Sequence, residues 1–296
     1  MLIVNPFASA VTESRIAAVA GELGRAAEVA TLLTTRPGHA TELAQEACGS
    51  GGCDAIFVFS GDGGFNEVVN GADGNIPVGF VPGGGTSVLP RALGLPAHPV
   101  AAARQLADAL GAGRVRRITL GRVNGRRFTF SAGIGLDAEA VRRVDARGRR
   151  ADGRRPGDLA FAVTMARILI ERRARFEPTL EIVGLGRAAF VFVANASPYT
   201  YAKRIALTVA PAATFELGLD VIAPVRVRPG FVPRFVRYAV RGRGQDRDAQ
   251  ILHGHDLDRI EVVCDEPMPL HADGEDLGDV EHAVFEAERD VLPVLV

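Results

Sequence analysis

The stretch Ser60-Gly61-Asp62-Gly63-Gly64 constrains this chain more than any other, because of what flanks it. Residues 55–59 before it are an unbroken apolar run of strand length, the pattern of a parallel strand buried on both faces. After it, Phe65, Val68 and Val69 recur at helical spacing, and Gly71 suits the end of a helix. The segment therefore reads strand, glycine turn, helix. Glycines let a ligand approach the backbone closely, and the helix beyond offers amides and a positive dipole end to an anion such as phosphate. The turn also carries a carboxylate, Asp62, which repels an anion unless a metal ion or a removable proton accounts for it. An ordinary polar turn remains the competing reading of so short a motif.

The same grammar repeats through residues 1–113. Short apolar runs at 2–4, 29–33, 55–59 and 78–81 each precede a helical pattern, and a further helix starts after Pro96 and Pro99. Repeated strand–helix units predict a doubly wound parallel sheet, whose ligands bind at the carboxyl ends of the strands. Asn5-Pro6, Thr35, Asp62 and Thr86 all fall at that edge. From residue 114 the pattern changes: runs at 115–123 and 126–131 flank Asn124-Gly125, a strong hairpin signal. Strand-like runs follow at 179–183, 188–194, 205–209, 219–223, 259–263 and 284–286, interrupted by two helical segments. An antiparallel β-sandwich with helical insertions over 114–287 is expected, and residues 288–296, apolar from Val291 on, read as a strand packed back onto a domain.

Several function classes fall away. Net charge is −1, which gives no case for nucleic acid. Lys203 is the sole lysine and lies outside any glycine loop, so a P-loop nucleotide site is excluded. Three cysteines without paired spacing point to reduced thiols, residues 1–6 are too short and uncharged for a signal peptide, and no apolar run has the ~18 residues of a transmembrane helix. A cytoplasmic chain able to touch the inner membrane surface is expected.

Three other constellations could carry chemistry. Asp273-Gly274-Glu275 would present both carboxylates on one side of a strand, able to hold Mg²⁺ or divide into base and metal ligand; a polar hairpin tip is the alternative. The arginine run 142–155 is either a solvated loop or an anion clamp. A helix with Phe231, Phe235 and Tyr238 among Arg234, Arg237, Arg241 and Arg243 is either core packing or a membrane-facing surface.

In one order along the chain occur Asn5-Pro6, Thr35 with Gly38-His39-Ala40, Ser60-Gly61-Asp62-Gly63 with residues 66–71, Pro82-Gly83-Gly84-Gly85-Thr86 with residues 91–96, Gly133 to Ala138, and Asp273-Gly274-Glu275. This order and spacing resemble the diacylglycerol kinase catalytic-domain family, which includes bacterial soluble lipid kinases and sphingosine kinases. The resemblance implies an NAD kinase-like α/β domain binding ATP and Mg²⁺, followed by a lipid-binding β-sandwich whose last strand returns to the first domain. It implies ATP contacts from Asn5, Pro6, Phe7, Ala8, Ser9, Thr35, Gly61, Asp62, Gly63, Gly64, Phe65, Asn66, Glu67, Gly85 and Thr86. Catalysis would fall to Asp62, Glu275 and Asp273, with Mg²⁺ on Asp62 and Asp273, and acceptor contacts would come from Asp137, Arg154 and Arg155.

The implied reaction is in-line attack of a lipid hydroxyl on the γ-phosphate, with either Asp62 or Glu275 taking the proton. The implied partner is a lipid at the membrane surface, with a homodimer left open. Gly64 stands where most members carry threonine, Ser87 where asparagine is usual, Ser9 where glycine is common, and Leu217 in place of an acid of a structural Mg²⁺ site. Those departures keep two alternatives in view: a kinase for a soluble alcohol, and a nucleotide- or lipid-binding protein without turnover.

Overall fold

The computed structural model describes residues 1–146, 148, 158–202 and 205–296. Arg154, Arg155 and most of the arginine run lie outside the described residues. The chain divides into one unit of Met1–Thr119 with Asp290–Val296, and a second of Leu120–Arg289. The first division falls within a strand rather than at Gly113.

In the first unit, strands and helices alternate: β1 (Leu2–Val4), α1 (Glu13–Leu23), β2 (Thr31–Leu33), α2 (His39–Ser50), β3 (Ile56–Ser60), α3 (Asp62–Gly71), β4 (Val78–Pro82), α4 (Val88–Ala92), α5 (Pro99–Gly111) and the start of β5 (Val115–Val123). β3 and β4 are buried along their whole length, as apolar runs without alternation require. The strands pair in parallel in the order β4-β3-β1-β2, so β1 has β2 on one side and β3 on the other. That reversal is a topological switch point, the place where doubly wound sheets open a crevice for ligands. The helices pack as pairs, α1 with α5 and α2 with α3. The chain's last residues belong to this unit: Val294 pairs in parallel with Val78, and Leu292, Val294 and Leu295 are buried. Arg117 holds the approach to this segment by donating to the carbonyls of Asp290 and Val291.

The second unit is antiparallel and β-rich. It comprises the rest of β5, β6 (Arg126–Phe128), β7 (Ser131–Ile134), α6 (Leu136–Asp145), α7 (Asp158–Glu171), β8 (Leu180–Ile182), β9 (Gly186–Ala188), β10 (Val191–Ala194), β11 (Thr200–Ala202), β12 (Ile205–Leu207), β13 (Leu219–Pro224), α8 (Phe231–Arg241), β14 (Ile251–Leu257), β15 (Arg259–Ala272) and β16 (Glu275–Leu295), whose last residues lie in the first unit. The main ladder runs β14-β13-β10-β7-β15-β16. β5 and β6 meet through Asn124-Gly125 with φ of 46° and 91°, the left-handed pair that a tight hairpin demands. Period-two alternation divides the core. Val191, Val193 and Val221 join Phe128, Val262 and Phe285, while Phe192 and Ile222 face Leu136, Ile168 and Phe231 of the three helices.

β15 and β16 are far longer than the runs at 259–263 and 284–286 suggest. Pro267, Pro269 and the acids beside them interrupt the apolar pattern, and the ladder accommodates them by register shifts between Val263 and Met268 and between Pro269 and His271. Among the described residues no helix is long and apolar enough to cross a membrane.

Truncating the buried terminal leucine, Leu295→Ala, should destabilise the protein by about 2–5 kcal/mol, the cost of a core cavity. Urea unfolding of the variant against the parent chain measures it.

Candidate active site

Because β1 to β4 run parallel, the loops at their carboxyl ends share one edge, and hydrogen bonds join three of them. Asn5 donates its amide to the Phe59 carbonyl at 3.0 Å, and its Oδ1 accepts the Phe7 amide at 3.0 Å. Ala10 donates to Gly83 at 2.8 Å, and Gly83 donates to Ser60 at 2.6 Å. The turns after β3 and β4 touch through bare backbone: a Cβ on Gly84 would lie 2.9 Å from Gly61 Cα. Gly85 next to it is exposed, with nothing within 4 Å of where its Cβ would stand.

Asp62 opens α3 and is half-buried. Its Oδ2 accepts the Val88 amide at 3.1 Å and its Oδ1 the Leu89 amide at 3.2 Å. The carboxylate thus binds the first amides of α4, after Ser87 has turned the chain with φ of 48°. Those amides lack intrahelical partners, so an acid there supplies both a cap and a favourable charge. This structural use explains an acid in an anion-binding turn without yet requiring metal or proton.

The remaining residues implied at this edge divide by helical periodicity. Gly61, Gly63 and Gly64 are half-buried, whereas Phe65 and Asn66 point inward. Phe65 packs edge-on against Phe80 at 5.3 Å, and Asn66 accepts from the Asn70 side chain. Both support α3 from beneath, so neither meets a nucleotide at the edge. Glu67 Oε2 accepts the Ala40 amide at 3.2 Å and ties α3 to α2. Thr35 is exposed, its amide donating to His39 Nδ1 at 3.2 Å. Phe7 and Ser9 are exposed, and Asn5, Pro6, Ala8 and Thr86 are half-buried.

Gly64 has a local physical reason. A Cβ there would sit 2.1 Å from Ser60 Oγ, a buried hydroxyl with no hydrogen-bond partner among the described residues. Ser60, at the end of β3, fills the space that a side chain on residue 64 would need. The two positions are therefore coupled, a relation that a motif read one position at a time does not reveal.

The second unit holds the other candidate acids. Asp273 and Gly274 form the two-residue turn between β15 and β16, with φ of 48° and 75°. The hairpin-tip reading is right about the turn, but the tip is not a solvated one. Asp273 is 4% exposed, and its carboxylate accepts four bonds: the Thr129 amide at 2.7 Å, Thr129 Oγ1 at 2.8 Å, and the Phe130 and Ser131 amides at 3.0 and 3.2 Å. Asp273 lies in the turn and not in a strand, so strand alternation does not pair it with Glu275, which starts β16 and forms an ion pair with Arg126.

Asp137 is wholly buried at the start of α6. Its Oδ2 lies 2.7 Å from His271 Nε2 and 3.5 Å from the Tyr199 hydroxyl, and its Oδ1 accepts the Ala138 amide. Gly133 leaves room for that carboxylate, since a Cβ there would meet Asp137 Oδ2 at 2.6 Å. Gly274 donates its amide to His271 Nδ1 at 3.4 Å. A polar chain thus runs from Asp137 through His271 to the Asp273-Gly274 turn. A carboxylate with no exposed surface cannot touch an acceptor directly, so Asp137 acts on the turn through His271. No metal-ligand spacing marks His271 in the sequence; its alternation with Asp273, two residues on, is the available signal.

Among the described residues no group of three or more His, Cys, Asp or Glu side chains could hold a metal. Asp273, with four donors on its two oxygens, does not fit a cation. Asp62 does fit, because Mg²⁺ usually rides on substrate phosphates with only one or two protein carboxylates. Near Leu217, Arg289 pairs with Asp256 at 2.8 Å and Asp258 at 2.6 Å, and a guanidinium nitrogen lies 2.7 Å from where a Gly218 Cβ would stand.

Two measurements check this geometry. Gly64→Ala should destabilise by about 1–3 kcal/mol through overpacking, although the same change at an open helical site stabilises by roughly 0.5–1 kcal/mol. Ser60→Gly in the same chain should recover most of the loss in urea unfolding. Second, burial and then the adjacent Asp137 push the Tyr199 phenol well above its ordinary value. Of the three tyrosines, Tyr199 should ionise last in alkaline spectrophotometric titration. Its contribution to stability is intact below pH ~10, the unfolded value, and is lost as pH rises from there toward the folded one.

The geometry can be set beside known proteins. Residues 1–123 match the diacylglycerol kinase catalytic domain. A curated diacylglycerol kinase from Bacillus subtilis (strain 168) is 40% identical over 111 residues, covering 36% of this chain. The match spans about a third, 35%, of that relative's length. Among solved structures, a diacylglycerol kinase from Bacillus anthracis str. Sterne superposes with a TM-score of 0.72 at 20% identity, over 99% of this chain and 95% of the other. An NAD kinase from Archaeoglobus fulgidus in complex with ATP gives 0.54 at 13% identity, over 100% and 92%. At those identities the two structures speak for the fold alone. The sequence match contains all four loops at the sheet's carboxyl edge, so it is over residues 1–123 that this chain is similar to the diacylglycerol kinase catalytic domain.

Proposed function

We propose that this protein is an ATP-dependent lipid kinase, transferring the γ-phosphoryl group of ATP to a lipid hydroxyl. The observation that carries this reading is the edge of the first unit. There, the family match coincides with a closed ring of loop contacts around bare glycine backbone and the start of α3. The solved NAD kinase is in complex with ATP and shares the fold, which supports ATP as the nucleotide here. Loops 5–9, 61–64 and 85–86 would then hold it, the α3 amides facing phosphate oxygens. When bound, Mg²⁺ supplies charge neutralisation on the phosphates, and Asp62 is the side chain that would hold it.

The acceptor is assigned to the second unit, with Glu275 as the group that takes the hydroxyl proton. Arg126 fixes the orientation of its carboxylate, and the buried chain through Asp137, His271 and Asp273 fixes the turn that carries it. In the step, the acceptor oxygen bonds to the γ-phosphorus, the bond to the β–γ bridging oxygen breaks, and ADP leaves. The proton goes to the carboxylate. Asp62 remains the other candidate acceptor, since its carboxylate is half-buried at the nucleotide edge. Catalysis of this kind is positioning and electrostatics more than covalent chemistry.

Incubation with ATP, Mg²⁺ and a lipid panel, with products identified by mass, tests the reading. Transfer to diacylglycerol or a sphingoid base is expected. Transfer to NAD alone, or ATP binding without transfer to any acceptor, overturns it. Glu275→Gln should lower kcat by roughly 10²–10⁴-fold with nucleotide affinity preserved by calorimetry.

A further inference from the structure

α8 divides its residues sharply between two environments. Phe231 is buried, and Phe235 and Tyr238 pack with it against Phe192 and the rest of the helical core. The aromatic side is therefore accounted for by core packing. On the opposite arc, Val236 is 54% and Val240 51% exposed, and Arg237 and Arg241 are exposed beside them. At 3.6 residues per turn the two valines and Pro233 occupy one side of that arc, and the two arginines the other.

Just beyond the helix the chain turns at Gly242 and adds Arg243, then Arg247. Arg237, Arg241, Arg243 and Arg247 line a groove of about 630 Å³, shared with Tyr238 and one acid, Asp246. Asp246 pairs with Arg247 at 3.8 Å. Arg237, Arg241 and Arg243 form no ion pair with a carboxylate among the described residues. Arg234, on the same helix, is different: Asp248 holds it at 2.9 Å. Most described arginines elsewhere in the second unit are paired like Arg234, as are Arg122, Arg142, Arg187, Arg228 and Arg259.

We infer that the exposed face of α8 and its groove are the surface by which the second unit docks on an anionic phospholipid bilayer. A groove with four guanidiniums and one carboxylate suits a phosphate-bearing headgroup, since guanidinium presents a planar fork to phosphate oxygens. The two exposed valines decide between possible anionic partners. A nucleic-acid backbone offers them nothing, whereas the headgroup–acyl boundary accepts an apolar strip beside a cationic one on an in-plane helix. The inference concerns this face alone and is read without turnover, so it stands or falls separately from the kinase reading.

Flotation of the purified chain with two kinds of vesicle tests it: phosphatidylcholine alone, and phosphatidylcholine with phosphatidylglycerol in roughly equal parts. Binding only to the mixed vesicles, weakening with salt, is expected. Affinity should fall about fivefold for each of Arg237→Gln, Arg241→Gln and Arg243→Gln, and on the order of a hundredfold for all three. The exposed paired arginine variant Arg259→Gln should bind as the parent does. Val236→Ser with Val240→Ser should weaken binding while its salt dependence persists. Equal binding to both vesicle types, parent-like binding by the triple arginine variant, or binding to duplex DNA without vesicle binding would overturn the inference. Circular dichroism of each variant separates a lost surface from a lost fold.

Discussion

The carboxyl edge of the first unit's sheet depends on backbone meeting backbone where the turn after β3 packs on the turn after β4. The Gly83 amide reaches the Ser60 carbonyl at 2.6 Å, and Gly61 and Gly84 approach so closely that a side chain on Gly84 would strike its neighbour. That contact brings the first amides of α4 within reach of the Asp62 carboxylate. An acid in this turn is thus a structural bond between two loops before it is anything chemical. The Val88 and Leu89 amides share its charge.

The second unit solves a different problem, the burial of polar groups. Asp137, His271 and Asp273 lie almost wholly out of solvent, where an unpartnered polar atom costs about 1–3 kcal/mol and a charge more. Each is answered: four donors on Asp273, imidazole and an amide on Asp137, Asp137 and the Gly274 amide on His271. The result is a turn held from behind, with half-buried Glu275 beside it.

Period and punctuation made much of this legible in advance. The unbroken apolar runs of β3 and β4, the glycine turns and the Asn124-Gly125 hairpin each have one physical reading, and the structure holds each in that form. β15 and β16 were less legible, since prolines and acids within them mask strand periodicity that register shifts restore. The helix α8 was ambiguous because its aromatic and basic residues interleave. Only packing shows that Phe231, Phe235 and Tyr238 go to the core and leave valines with arginines outside.

The residues alone specify the parallel α/β unit, the change to antiparallel β, and the set of loops at one sheet edge. Those follow from local periodicity and from glycine, proline and asparagine chemistry. Packing selects which residues of the turn at 60–64 and of its helix lie at the sheet edge and which support it. It turned Phe65 and Asn66 inward, gave Ser60 the space that a side chain on Gly64 would take, and buried Asp273 beneath Thr129 while leaving Glu275 with Arg126. These outcomes depend on residues far apart in the chain competing for the same volume and the same hydrogen bonds, which no local pattern encodes.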